Sequence, residues 1–275
     1  MGYMMAKIGA IVVLYNWDKE TLKNVDSYSS CFDEIILVDN SDKKNAGVKS
    51  KSYIYECMNG NFGIGCAINR GIEIAKKHGL DFVVTLDQDS NYKDNTALYY
   101  KKNVDDLISN KIIIVPRNYV KSLRKSKNGT DQNPKLLVQS GAMFNMKMFE
   151  EVGYFNEDLF IDVVDYEFGI RAEDKEYKIF RCNSIVLNHR PGSPKTKNIF
   201  GKKIKYVAHN PTRIYYQSRN LLWTAKKYKN RRMFKIHLRL FLKIVFLFGN
   251  KKQNMKMFIR GTKDARKGVL GRISA

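Results

Sequence analysis

A chain of 275 residues with 44% hydrophobic residues and only 5 prolines is long enough for one large domain, or one domain with an appendage, and is neither fibrous nor disordered. Its charge is uneven: residues 195–275 hold 23 Lys plus Arg against one acid, Asp264, whereas the first 194 residues are balanced. The entire net charge of +22 therefore sits in the tail and calls for an anionic partner, either nucleic acid or a membrane surface.

Ile8-Gly-Ala-Ile-Val-Val-Leu14 has the length of a buried strand. It is too short, and too poorly flanked by Lys7 alone, for a secretory signal. Ala6 stands where myristoylation after Gly2 wants Ser or Thr, so the amino terminus reads as untargeted. Asp18 is placed to cap a helix over about residues 19–30. Glu34-Ile-Ile-Leu-Val-Asp39 is the next strand, and residues 51–57 supply a third. Asn59-Gly-Asn-Phe-Gly-Ile-Gly65 leads into a helix through Ile72 and Ile74 that ends near Gly79. Phe82-Val-Val-Thr-Leu86 is strand-forming on both faces, as in a strand buried within a parallel sheet, and stops at Asp87-Gln88-Asp89-Ser90.

Further on, the pattern predicts a helix over about residues 94–109 and a strand over 112–115 stopped by Pro116. A polar, basic loop over 117–134 has the length of a functional lid. Then come a strand over 136–144, a short helix over 146–152, an acidic stretch over 159–171 that turns helical by Asp165, and a strand over 177–187 broken by residues 188–192. This alternation is that of an α/β protein with a doubly wound, mainly parallel sheet. An aromatic-rich helix follows from Pro211 to about Tyr228. Residues 233–248 are apolar but punctuated by Lys235, His237, Arg239 and Lys243. Too short and too charged to span a bilayer, they read as an interfacial amphipathic helix. The alternative is a helix buried on the main domain with snorkelling bases. Residues 251–268 add a second basic helix. The four cysteines, Cys31, Cys57, Cys66 and Cys182, form no C-x-x-C pair or zinc spacing and read as reduced cytosolic thiols.

Asp87 and Asp89 fall at the carboxyl end of a buried strand, where open α/β sheets place ligands. One residue apart, they project to the same side and offer hard oxygen donors suited to Mg²⁺ or Mn²⁺, particularly when a substrate diphosphate completes the shell. A plain turn is the alternative, since Asp, Gln and Ser all favour loops.

Several segments appear together in one order: Val12-Val-Leu-Tyr-Asn16, Val38-Asp-Asn-Ser41, Asn61-Phe-Gly-Ile64 with Asn69-Arg-Gly-Ile72, Leu86-Asp-Gln-Asp-Ser90, Gly153-Tyr-Phe-Asn-Glu-Asp-Leu-Phe-Ile-Asp162, Asp165-Tyr-Glu-Phe168 with Arg171, and His189-Arg190. In this the chain resembles bacterial family 2 glycosyltransferases, most closely the rhamnosyltransferase-like branch, over roughly residues 7–225. The resemblance implies a GT-A fold, a sugar nucleotide donor, a divalent metal and inversion at the anomeric carbon. It places the nucleotide against Val13, Tyr15, Asp39, Asn61, Gly63, Asn69, Arg70, Asp87 and Gln88, with Asp39 on the base. It places the metal on Asp87, Asp89 and His189, and brings Arg190 and Arg219 toward phosphate. Counting back from Arg171, Asp165 stands at the position of the usual base and Glu167 within the acidic motif. Val164 replaces a second acid common in the family, which leaves Asp162 as a competitor. The bland reading of these acids is a solvated helix start that complements the helix dipole.

The resulting expectation is residues 1–209 as a catalytic domain and 210–275 as a basic helical region on the membrane surface. The enzyme would be peripheral at the inner face of the cell membrane, moving a sugar, with L-rhamnose from dTDP-rhamnose in front, to a lipid-linked or polysaccharide acceptor. A UDP-sugar-using hexosyl or galactofuranosyl transferase of the same fold is the nearer alternative. A nucleic-acid binder is the further one, though the charge avoids the motif-bearing part and no nucleic-acid module is evident. A nicotinamide oxidoreductase fits poorly, because Ile68 takes the third glycine's place after Gly63-Ile-Gly65.

Overall fold

The computed structural model describes residues 6–42, 52–102, 104, 111–118, 134–188, 194–199 and 201–273. Strands β1 (Ile8–Leu14), β2 (Glu34–Asp39), β3 (Ile54–Cys57) and β4 (Phe82–Asp87) are parallel neighbours in the order β3-β2-β1-β4. The sheet continues from β4 through β7 (Ala142–Asn145), β6 (Ile112–Asn118), β8 (Lys178–Asn188) and the two-residue edge strand β5 (Asn91–Tyr92). β7 runs antiparallel to β4 and β6, and β5 to β8, while β6 and β8 are parallel. The sheet is therefore α/β and mainly parallel, as the apolar runs predict.

Those runs are apolar on both faces because both faces are covered. On one side Ile11, Ile36 and Val83 pack with Ile68 and Ile72 of α2 (Ile64–Lys77). On the other, Val12, Leu37 and Val84 pack with Val25 and Tyr28 of α1 (Lys19–Ser29). Asp18 and Thr21 cap α1 reciprocally, with the Thr21 amide donating to Asp18 at 2.9 Å.

Several boundaries differ from expectation. The helix expected near 94–109 opens with a 3₁₀ turn (Thr96–Leu98) and continues as α3 (Tyr99–Lys102), with Val104 also helical; residues 103 and 105–110 lie outside the described residues. Pro116 does not stop β6, because a register shift between Pro116 and Arg117 absorbs the residue that lacks an N–H. The expected strand over 136–144 forms only at β7. Helix α4 (Met148–Val152) and helix α5 (Val164–Asp174) follow. A hairpin of β9 (Pro194–Ile199) and β10 (Lys202–Val207) was not anticipated. Its sequence signal is the alternation of lysines at 195, 197, 203 and 205 about Gly201, whose φ is +75°. The lid expectation for 117–134 falls almost wholly outside the described residues.

Helices α6 (Pro211–Lys227), α7 (Arg231–Phe246) and α8 (Lys251–Lys267) complete the chain. Ile214 and Leu221, Met233 and Leu240, and Phe258 form a third core with Val163 and Ile170. Gly261 lets α8 lie backbone to backbone on α6: a Cβ there would stand 2.5 Å from the Tyr215 carbonyl. The inner surface of α7 is thus packed on the rest of the protein, as the buried-helix alternative holds. Among the described residues no helix is long and apolar enough to cross a membrane.

The buried Glu167 accepts from the Arg171 guanidinium at 3.0–3.1 Å and from the Tyr228 hydroxyl. Arg171 also donates to the carbonyls of Val152 at 2.6 Å and Tyr154 at 2.7 Å, locking α4 and the following turn onto α5. Glu167→Ala leaves that cation without its carboxylate and is expected to cost about 3 kcal/mol, measured by urea unfolding.

Candidate active site

The carboxyl end of β4 opens on a cavity of about 970 Å³. Asp87 and Asp89 line it from β4 and the turn that follows; Asp162 and Asp165 line it from the start of α5. Arg213 and Gln217 of α6, and Arg239 and Lys243 of α7, form further wall.

The Asp87 turn is held from several directions. The Asn24 amide donates to the carbonyls of Gln88 at 3.0 Å and Ser90 at 2.7 Å. The Gln139 amide donates to the Asp87 carboxylate at 2.6 Å, and the Ser90 and Ser140 hydroxyls meet at 2.8 Å. The Gln88 side chain accepts from the Tyr15 N–H at 2.7 Å and donates to the Tyr15 carbonyl at 3.1 Å. Its amide therefore ties β4 to β1, where the resemblance has it touching nucleotide. Asp89 remains exposed at the cavity.

The other two acids occupy contrasting environments. Asp162 accepts from Arg213 at 2.6 and 3.1 Å and from Gln217 at 3.3 Å, so its charge is neutralised by α6. Asp165 has no such cation among the described residues: it accepts the Tyr166 N–H at 2.9 Å. Burial pushes its carboxyl up to about 7, against hydrogen bonds from the Tyr166 and Gln139 backbone and with the charges of Asp87 and Asp162 adding to the rise. Proton transfer near neutrality is thus open to Asp165. His209, not singled out in the sequence, also lines the cavity, and burial, then Arg213, lower its pKa.

A second group lies at the ends of β1 and β2. Asp39 is buried and accepts from Trp17 Nε1 at 2.8 Å, Tyr55 OH at 2.6 Å, the Ser41 N–H at 3.0 Å and the Ser41 hydroxyl. Tyr15 is exposed and donates its hydroxyl to Asp42 at 2.6 Å. Val13 is a core side chain paired with Val38 and Asp87. Asn61 accepts from the Gly63 N–H at 3.1 Å, and Gly63 holds φ +93° against Phe160, where a Cβ would stand 2.5 Å from the Phe160 carbonyl. That same carbonyl accepts the Ile64 N–H at 2.8 Å, occupying one of the helix-start amides expected to meet an anion.

Three expected contacts are not made by side chains at the cavity. Asn69 is buried and binds the Phe155 backbone at 2.9 Å in both directions, plus Glu157 at 2.8 Å. Arg70 pairs with Glu56 at 2.7 Å and Glu73 at 3.0 Å. Arg219 is fully buried and donates to the carbonyls of Leu159 at 3.0 Å and Gly271 at 2.7 Å, not toward a phosphate. His189 and Arg190 lie outside the described residues. Conversely, Arg272 reaches back beside the Tyr15 region, 3.3 Å from Asp42 and 3.4 Å from the Asn61 carbonyl. Nothing in its sequence context marks it.

Among the described residues no three His, Cys, Asp or Glu side chains converge into a ready metal cage. Asp87 and Asp89 nevertheless fit a hard divalent cation in the mode that Mg²⁺ favours, one or two carboxylates with substrate phosphates and water supplying the rest.

No family model matches the sequence. The chain is 28% identical to the dTDP-rhamnosyl transferase RfbF of Shigella flexneri, across 98% of both chains. Its fold is similar to that of GalNAc-T7 crystallised with UDP, GalNAc and Mn²⁺, with TM-score 0.58 and 15% identity over 98% of this chain and 58% of that one. It is similar also to S. aureus TarS 1-349 in complex with UDP-GlcNAc, with TM-score 0.57 and 14% identity over 96% of this chain and 81% of that one. Against a longer TarS chain it spans 44% of the length. The fold is the GT-A arrangement expected from the motifs.

Because the Asp165 carboxyl rises from the usual carboxylate range to about 7 on folding, the folded state holds a proton that the unfolded chain has released between those values. Stability therefore falls as pH rises from about 4 to 7. Asp165→Asn removes this loss. In thermal melts of metal-free protein the variant is expected to gain several degrees on the wild type across that window, with the gap levelling off above about pH 7.

Proposed function

We propose that this chain, a glycosyltransferase of the GT-A fold, moves a sugar with inversion from a nucleoside diphosphate donor, foremost L-rhamnose from dTDP-rhamnose, onto a lipid-linked glycan acceptor. The work belongs to cell-surface glycan synthesis at the inner face of the cell membrane, with residues 1–209 as the catalytic unit and 210–275 as the basic helical unit. One observation carries the reading: a diphosphate-suited pair, Asp87 and Asp89, shares a single cavity with Asp165, a carboxyl poised near neutrality. The identity with a dTDP-rhamnosyl transferase along 98% of both chains supports the donor.

In this mechanism the nucleoside end of the donor lies toward Asp39, Tyr15 and Asn61, and its diphosphate toward the Asp87 turn. Asp87 and Asp89 would hold Mg²⁺ or Mn²⁺, with His189 as a further ligand implied by the resemblance. Such an ion, when bound, offsets the charge that grows on the leaving nucleoside diphosphate. Ionised Asp165 takes the proton from the acceptor hydroxyl as that oxygen attacks the anomeric carbon from the face opposite the nucleotide. The C–O bond to the diphosphate breaks and its electron pair departs with the nucleotide. Asp162 holds Arg213 and Gln217 in place at the cavity wall.

Calorimetry with dTDP and UDP, each with and without Mn²⁺, tests the binding half. Asp89→Ala should lose the Mn²⁺-dependent nucleotide affinity. Asp165→Asn should keep that affinity and lower transfer about a thousandfold. A Asp165→Asn enzyme that stays active while Asp162→Asn is dead would reverse the base assignment. Release of free sugar from dTDP-rhamnose, compared with UDP-hexoses and UDP-galactofuranose, identifies the donor.

A further inference from the structure

The surface of α7 divides into four rows at i, i+4 spacing. Arg232, Ile236, Leu240 and Ile244, and next to them Met233, His237, Phe241 and Val245, are the buried or half-buried rows turned to the protein. The two outward rows are chemically pure. Phe234, Leu238, Leu242 and Phe246 form an apolar ridge in which every member is 44–54% exposed. Arg231, Lys235, Arg239 and Lys243 form a ridge of exposed cations beside it. Rows at this spacing run as continuous ridges along a helix, here over about 18 Å from the first apolar residue to the last.

We infer that this outward face of α7 is a docking surface for an anionic lipid bilayer, with the apolar ridge entering the headgroup–acyl boundary and the cation ridge meeting acidic headgroups. The inference rests on the proposed lipid-linked acceptor and names the face that reaches it. Charge decides the occupant. No acid occurs in α7, and among the described residues none of the four ridge cations pairs with a carboxylate. A second copy of the same face would set four cations against four. A nucleic acid would take the cations but leave Phe234, Leu238, Leu242 and Phe246 in water. An anionic bilayer satisfies both ridges at once. The placement also serves the chemistry: Arg239 and Lys243 line the cavity that holds Asp87 and Asp165. A bilayer on this face therefore lies alongside the cavity wall, where a membrane-held acceptor can enter without leaving the lipid.

The test is vesicle co-sedimentation of the full chain, with neither donor nor acceptor present, on pure phosphatidylcholine and on phosphatidylcholine with phosphatidylglycerol. Binding is expected to the anionic vesicles, to weaken as salt rises, and to drop at least about tenfold in Leu238→Ser/Leu242→Ser. Transfer to a soluble acceptor should be unchanged in that variant. Phe246→Trp provides a readout that needs no destabilising change: its emission, over that of Trp17 and Trp223, should shift blue on anionic vesicles only. Undiminished vesicle binding by the double variant, or no shift at residue 246, overturns the docking face. So does a lipid-free dimer, seen by light scattering, that the double variant abolishes. Failure to bind nucleotide or release sugar would count against the enzyme reading alone, because the vesicle assay contains neither.

Discussion

A fully buried guanidinium in the middle of α6 holds one wall of the cavity in shape. Arg219 has no carboxylate partner among the described residues. Its charge is met by the carbonyls of Leu159 and Gly271, by the Asn220 side chain at 2.8 Å, and by the faces of Tyr215 and Tyr216. Asn220 extends the grip, donating to the carbonyls of Leu159, Ile161 and Asp162 at 2.8–2.9 Å. The segment so gripped is strained: Phe160, Asp162 and Val163 have φ of 65°, 62° and 70°. Left-handed backbone at non-glycine residues costs roughly 1–3 kcal/mol each and survives only where surroundings over-determine it. For β-branched Val163 it is a genuine outlier.

That strained segment explains why two acids three residues apart behave differently. Arg213, Gln217 and Asn220 fall at i, i+4 and i+7 on α6, one face of the helix, and all three engage Asp162 through its carboxylate or carbonyl. The left-handed turn at 162–163 then starts α5 and carries Asp165 away from those donors into a desolvated position. One carboxylate is neutralised by a cation and the other is left to adjust its own protonation. The same turn presents the Phe160 carbonyl to the start of α2, so the segment ties that helix to the acid-bearing side of the cavity. Gly63 is required at that junction because the Phe160 backbone fills the space of a side chain.

The parallel half of the sheet was legible because burial on both faces leaves uninterrupted apolar runs, and β1, β2 and β4 are such runs. The Asp87 turn was legible because chain chemistry changes abruptly where β4 ends. What could not be read was direction. Asn69, Arg70 and Arg219 are residue types that bind anions, and nothing local states that Asn69 faces Phe155, that Arg70 faces Glu56, or that Arg219 points inward to carbonyls. The motif put Asp165 at the usual base position with Asp162 as a competitor; the cation that gives the two different surroundings comes from α6, some fifty residues later. Glu167 and Arg171 match a catalytic motif, yet their observed partners are one another, the Tyr228 hydroxyl and two carbonyls. His209 and Arg272 were overlooked because tertiary folding alone brings the one to the cavity and the other to Asp42 and the Asn61 carbonyl, with no motif around either.

The +22 of the tail overstated its electrostatic footprint and understated its order. Part of the charge is used within the fold: Arg213 on Asp162, Arg219 on carbonyls, Arg232 on the Lys135 carbonyl, Arg272 near Asp42. The sum of charges cannot distinguish these from cations that face outward, and neither can an amphipathic pattern with two apolar sides. In α7 the inner apolar rows are consumed by packing on α6 and α8, which is why the outer apolar ridge stands out as surplus to folding. A helix needs one apolar stripe to dock on its own protein. A second, flanked along its length by cations of which Arg239 and Lys243 also edge the cavity, is not used in packing and stays exposed among the described residues.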